Sequence, residues 1–168
     1  MRLYVIRHAQ AIERSPRVRE EDRWLTPAGR EEFRRTAGLL AKRGIVPDWI
    51  VTSPLVRAVQ TADIFAEAIG FQGELMVAPE LGPGFGTEGL QRVITACGMP
   101  RRLAVVGHEP DLGELVASLL GSNEPLSLRK GSVVALTFDP ADTAAPALFR
   151  WLVCRGKRVT GMPKDGVL

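Results

Sequence analysis

Over residues 1 to 120, short apolar runs alternate with longer stretches of helical spacing. The runs "LYVI" (3–6), "WIVT" (49–52), "ELMV" (74–77) and "LAVVG" (103–107) are bounded by turn or capping residues and predict buried strands. After "LTPAGR" the spacing predicts a helix capped by Thr26, with Pro27 in its first position and Glu31 and Glu32 near its positive end. Its inner face is Phe33, Ala37 and Leu40. A second helix opens at "SPLVRAVQTADIFAEAIG", with Ser53 as cap, Pro54 in the first turn, an apolar series from Leu55 to Ile69 and Gly70 as its stop. "GLQRVITACG" and "PDLGELVASLLG" predict a third and a fourth helix, each with one apolar stripe.

Strands alternating with one-faced helices argue for an α/β layer sandwich around a largely parallel sheet. The last segment differs. "SVVALTF" and "LFRWLV" alternate with period two and are joined by "DPADTAAPA", which predicts two further strands, one or both antiparallel, with no helix between them. The expected sheet therefore has about six strands.

Composition narrows the class. A chain of 168 residues, 45% of them hydrophobic, suits one core. We expect a single domain over 1–154 and a basic, solvated tail over 155–168. Without an apolar segment of the length needed to span a bilayer, and with "RLYVI" too short for a signal peptide, a cytoplasmic location away from membranes is expected. Cys97 and Cys154 have neither metal-ligand spacing nor a disulfide framework around them and are expected to pack as small apolar residues. The 22 basic and 19 acidic residues leave +3, which favours an anionic partner; at 6% aromatic residues and with no basic stripe, nucleic acid is not expected. The chain is expected to act as a monomer.

In layered α/β folds the ligand crevice lies beyond the carboxyl ends of the strands, so the residues that follow each strand are the candidates. After the first strand come Arg7 and His8; after the second, Ser53 and Arg57; after the third, Glu80; after the fourth, His108 and Glu109. Taken singly, each has an ordinary explanation: a hydrogen-bonded histidine, a surface arginine, a loop glutamate. Together they supply two arginines, both histidines of the chain and a helix N-terminus, a donor-rich positive spot suited to an anion. Spacing alone leaves phosphate and carboxylate both open. Glu109 is expected to lie in solvent.

The motifs "RHAQ", "LTPAGR", "IVTSPLVRAVQTA", "PEL" and "VVGHEPDL" fall in order between residues 2 and 120, and together they resemble the histidine phosphatase superfamily, whose fold is phosphoglycerate-mutase-like. Small size and spacing are most similar to its SixA-type branch of phosphohistidine phosphatases. The resemblance implies a three-layer α/β/α sandwich, mostly parallel, with an antiparallel C-terminal strand. It also implies a phosphatase that needs neither metal nor cofactor. His8 would be the nucleophile that forms a phosphohistidine intermediate, with Arg7, Arg57 and His108 lining the phosphate pocket. Glu80 falls where the family often supplies a proton donor, and Ser53 would cap its helix and offer a hydroxyl toward phosphate. Ala9 replaces the glycine that much of the superfamily carries after the histidine, which raises the question of backbone geometry beside the nucleophile.

On chemical grounds His8 must be unprotonated, its second ring nitrogen donating to a fixed acceptor such as a backbone carbonyl, while two arginines and a protonated His108 hold the phosphoryl oxygens. A phosphate ester needs a firm proton donor for its alkoxide, whereas a phosphohistidine leaves as neutral imidazole. Residues 81 to 107, between Glu80 and His108, leave little room for a covering insertion, so an open pocket is expected. The expected substrate is phosphohistidine in a protein, such as a phosphorelay domain. A small phosphate ester is the alternative, and a non-catalytic phosphate-binding adaptor the alternative of another class.

Overall fold

The structure, a computed structural model, describes residues 1–124, 126–142, 145–163 and 166–168. Two residues of the expected "DPADTAAPA" connection, Thr143 and Ala144, and two of the expected tail, Lys164 and Asp165, lie outside the described residues.

The four apolar runs form β1 (Arg2–Arg7), β2 (Trp49–Thr52), β3 (Leu75–Val77) and β4 (Arg102–Gly107). The period-two segments form β5 (Val133–Thr137) and β6 (Leu148–Cys154), and a strand the pattern does not predict, β7 (Lys157–Val159), closes the edge. All seven belong to one sheet in the order β3-β2-β4-β1-β5-β6-β7. The first four pair in parallel; β1–β5, β5–β6 and β6–β7 are antiparallel. β7 escapes the apolar-run signal because Lys157, Arg158 and Val159 are all exposed on an edge. Residues 155–168 therefore carry a strand, and Leu168 is fully buried in the core.

Between the strands run α1 (Pro27–Ala41), α2 (Val56–Ile69), α3 (Thr87–Ala96) and α4 (Asp111–Leu120). The Thr26 hydroxyl accepts from the Gly29 amide, as a capping residue should, and Gly70 ends α2 in the left-handed region. Ser53 does not cap α2. The helix starts at Val56, with Leu55 extended ahead of it, because the Ser53 hydroxyl is engaged elsewhere and accepts only the Leu55 amide. No described helix is long and apolar enough to cross a membrane.

Alternate residues of the central strands feed two cores. Tyr4, Ile6, Ala104 and Val106 pack with α1 and α2 on one face, through Phe33, Leu40, Ala62 and Phe65. Leu3, Val5, Leu103 and Val105 pack with α3 and α4 on the other, through Leu90, Ile94, Leu112 and Val116. This gives the three layers. The neighbouring strands β1 and β4 send the chain to opposite faces, β1 toward α1 and β4 toward α4. A crevice opens between such diverging connections at the strands' carboxyl ends.

Candidate active site

Register places the candidate residues side by side. Arg7 pairs with Gly107 and Thr52 with Val106, so β1, β4 and β2 end level and release His8, His108 and Ser53 into the same crevice. The His8 amide donates to Gly107 O at 3.1 Å and the Ser53 amide to Val106 O at 3.0 Å, continuing the ladder one residue past the strands. The two imidazole centroids are 5.1 Å apart. A cavity of about 480 Å³ is bordered by Arg7, His8, Arg57, His108 and Glu109, with Glu20, Arg23 and Lys130 among its other walls.

His8 is 8% exposed, and its Nδ1 lies 2.7 Å from the carbonyl oxygen of Ala9. A carbonyl only accepts, so Nδ1 carries the proton and Nε2 the lone pair. Burial, opposed by that carbonyl and reinforced by His108, Arg57 and Arg7, lowers the imidazole pKa to about 3. The ring is therefore neutral at physiological pH, with one nitrogen ready to attack. Ala9 is not among the non-glycine residues of positive φ, which are Met99 and Arg155 among the described residues, so alanine at this position carries no backbone strain. The Ala9 amide donates to Thr61 Oγ1 at 3.1 Å, and that hydroxyl donates to Arg57 O at 2.7 Å, tying the turn after His8 to the first turns of α2.

Each arginine has a defined anchor. Arg7 Nη1 donates to Leu128 O, and burial, with Glu109 acting against it, draws its pKa below the usual range. Arg57 is 6% exposed; its Nη1 donates to Glu20 O at 2.7 Å and its Nη2 pairs with Glu20 Oε1 at 3.1 Å. Both Nε atoms are buried without a protein partner. Against the cost of burial, Arg23, then Arg57 and Arg14, hold the Glu20 carboxyl below the usual carboxylate range. It is a carboxylate seated on a buried arginine.

His108 differs from expectation. Burial, together with Arg57 and Arg7 and against Glu20, lowers its pKa to about 4, so the ring is neutral rather than an imidazolium. Its Nε2 lies 2.8 Å from the hydroxyl of the fully buried Ser53, while its Nδ1 is buried with no partner. The Ser53 oxygen also accepts the Leu55 amide, so the hydroxyl ties His108 to the start of α2. The hydroxyl of Ser53 is thus paired with His108.

Glu80 is exposed in a 3-10 turn (Pro79–Leu81) and is not among the residues bordering the cavity. Glu109, expected in solvent, is half-buried at the cavity wall, and burial raises its pKa despite the Leu128 amide, Arg7 and the Gly113 amide. Sequence reasoning missed the walls formed by Glu20, Arg23 and Lys130. The available signal was the charge-dense "RSPRVREEDR" directly downstream of His8, which must pass over the strand ends before α1 begins.

Fold and site together define an α/β protein that holds a neutral, tautomer-fixed imidazole among convergent cationic and N–H donors. The model of the histidine phosphatase superfamily (branch 1) matches residues 3–82. An uncharacterized protein of Picosynechococcus sp. is 33% identical over 144 residues, 81% of this chain and 84% of that protein. The phosphohistidine phosphatase SixA of Escherichia coli is 27% identical over 155 residues, 90% of this chain and 92% of that one. A solved structure of the protein histidine phosphatase SixA complexed with tungstate superposes with a TM-score of 0.81 at 24% identity, covering 92% of this chain and 97% of that chain. The chain belongs to the histidine phosphatase superfamily.

Proposed function

We propose that the protein is a phosphohistidine phosphatase that takes the phosphoryl group from a histidine of a protein, such as a phosphorelay domain, onto His8. The observation that carries this reading is the hydrogen bond from His8 Nδ1 to Ala9 O, which fixes Nε2 as the free lone pair beneath two arginines. Nε2 forms a bond to phosphorus as the P–N bond to the substrate imidazole breaks. The departing nitrogen keeps the electron pair, and protonation at the distal ring nitrogen makes it a neutral imidazole. Arg7, Arg57 and His108 hold the non-bridging oxygens through the transfer. Water then attacks the phosphorus, and inorganic phosphate and neutral His8 are regenerated.

Two further points support the N–P substrate. Glu80, the family's usual donor position, stands away from the cavity wall, and a phosphohistidine needs no donor there. The SixA relative was solved with tungstate, an oxyanion shaped like phosphate. The cations come from the protein itself, so activity is expected to survive chelating agents. A second reading, hydrolysis of small phosphate esters, is favoured by Glu109, a half-buried carboxyl at the cavity wall whose pKa burial raises, in the direction that a proton donor to an alkoxide requires.

The test is an alkaline quench during turnover of a protein carrying labelled phosphohistidine, with the label expected on His8 and none bound by the His8→Ala protein. Hydrolysis by His8→Ala at the normal rate would falsify the covalent route. Turnover of aryl phosphates without turnover of phosphohistidine protein would give the ester reading the ground.

A further inference from the structure

A second cavity, of about 300 Å³, opens beside the first, and Lys130 borders both. Its floor includes Ala9, the residue after the nucleophile, and its walls carry three cations, Arg129, Lys130 and Arg155, against a single carboxylate, Glu32. Glu32 meets Arg155 loosely, Oε1 to Nε at 3.6 Å; among the described residues Arg129 and Lys130 have no ion-pair partner. Among its described lining residues the cavity therefore carries two positive charges in excess, a setting that favours an anion.

The side chains of these cations are exposed, but the backbone that carries them is held in place. The amide of Gly131 donates to both Arg7 O and His8 O, at 3.2 and 3.1 Å, and the Ser132 amide returns to Arg129 O at 3.0 Å, so the 129–131 segment is fastened to the backbone of the nucleophile. Gly131 sits at φ +71 with Phe33 and Ala9 close by, which holds the segment against the floor. Arg155 occupies the first position of the two-residue β6–β7 turn, where Cys154 pairs with Lys157, at φ 50. Such turns favour asparagine, aspartate or glycine, so an arginine there holds a costly backbone conformation while placing its guanidinium at this cavity.

We infer that this cavity is a second anion subsite, taking a carboxylate or phosphate that belongs to the same substrate as the phosphoryl group on its way to His8. The inference rests on the phosphatase reading and sharpens it: the favoured substrate carries an acidic group beside the scissile bond. Acidic side chains flanking a phosphohistidine and a second anionic group on a small ester have the same chemistry, and two pairs of probes separate them. One pair is a peptide phosphorylated on a single histidine, with flanking residues all glutamate or all glutamine; the other is phenyl phosphate and its carboxylated forms.

The quantity read is the ratio of kcat/KM within each pair, so that losses common to both members cancel. The intact protein should prefer the acidic member about tenfold at low salt, falling as ionic strength rises. The Arg129→Ala/Arg155→Ala protein should bring the ratio near one, and Glu32→Gln should raise it about twofold. Preference confined to the peptides assigns the subsite to a protein substrate; preference confined to the aryl phosphates assigns it to a small ester, and also tells against the phosphohistidine reading. A ratio of one in the intact protein for both pairs, or one unmoved by the arginine substitutions, overturns the subsite while leaving His8 chemistry intact.

Discussion

At and beneath the floor of the first cavity, His8, Ser53 and Arg57 are 8%, 0% and 6% exposed, and their polar groups are held by close partners: Ala9 O for His8, the His108 ring and the Leu55 amide for Ser53, and Glu20 O for Arg57. At the rim, Arg14 and Glu20 have side chains 83% and 43% exposed, and the Glu20 carboxylate is shared among Arg14, Arg23 and Arg57. Buried hydrogen bonds of the first kind leave few alternatives, because breaking one strands a polar group without water. Exposed ion pairs of the second kind are worth about 0–1 kcal/mol each and exchange partners readily. The floor fixes its groups in place, and the rim leaves the Glu20 carboxylate on Arg57, where under the proposed function a phosphoryl group would displace it.

The comparison breaks first at Arg57. Arg57→Ala should lower kcat/KM by about 10²- to 10³-fold, with Arg57→Lys little better because an ammonium lacks the two-pronged donor geometry. A lysine variant close to the intact protein in steady-state kinetics would make this arginine a mere positive charge.

The buried histidines predict the next largest effect, on stability. Unfolded imidazoles take up protons below about pH 6.5, whereas the folded His8 and His108 wait until about 3 and 4. The unfolded chain therefore binds more protons in this window. Stability is fully present above about pH 6.5 and is lost as pH falls, by up to about 1.4 kcal/mol per pH unit for each histidine. Urea unfolding from about pH 7 to 4.5 measures the slope, and His8→Asn should make it shallower.

Ser53→Ala sharpens the comparison inside the floor. Without the hydroxyl, His108 loses the bond that sets its tautomer, and kcat/KM should fall about tenfold, the value of one buried hydrogen bond. Ring-nitrogen NMR should show a shift in the His108 tautomer balance; an unchanged spectrum would reduce Ser53 to packing.

Glu20→Gln has the smallest expected effect and the opposite sign. Removing the resident carboxylate should tighten binding of inorganic phosphate about threefold to fivefold, most at low salt. Weaker binding in isothermal titration would mean that the rim helps to hold phosphate instead of competing with it.

The floor was legible in the sequence and the rim was not. Arg7, His8, Ser53 and His108 follow apolar runs whose ends register brings level, so counting past each strand was enough to gather them. Glu20, Arg23 and Lys130 lie in connecting segments whose path depends on tertiary contacts, such as the Arg57 bond to Glu20 O, and no periodicity reports those. The start of α2 was misplaced because Ser53 resembles a capping residue while its hydroxyl serves His108. Local propensity does not foresee a partner that arrives from another strand. β7 was invisible for a different reason: "KRV" has no buried face to imprint a pattern.

Ala9 sets the depth of the second cavity. Its φ is not in the left-handed region, so glycine would serve the backbone equally and cost little more than chain entropy. It is 2% exposed, and it borders the 300 Å³ cavity beside Gly131 and Phe33. A larger side chain at position 9 would therefore take up room on the floor of that cavity, next to the turn that carries His8. One methyl group marks the boundary between the His8 crevice and the space beside it.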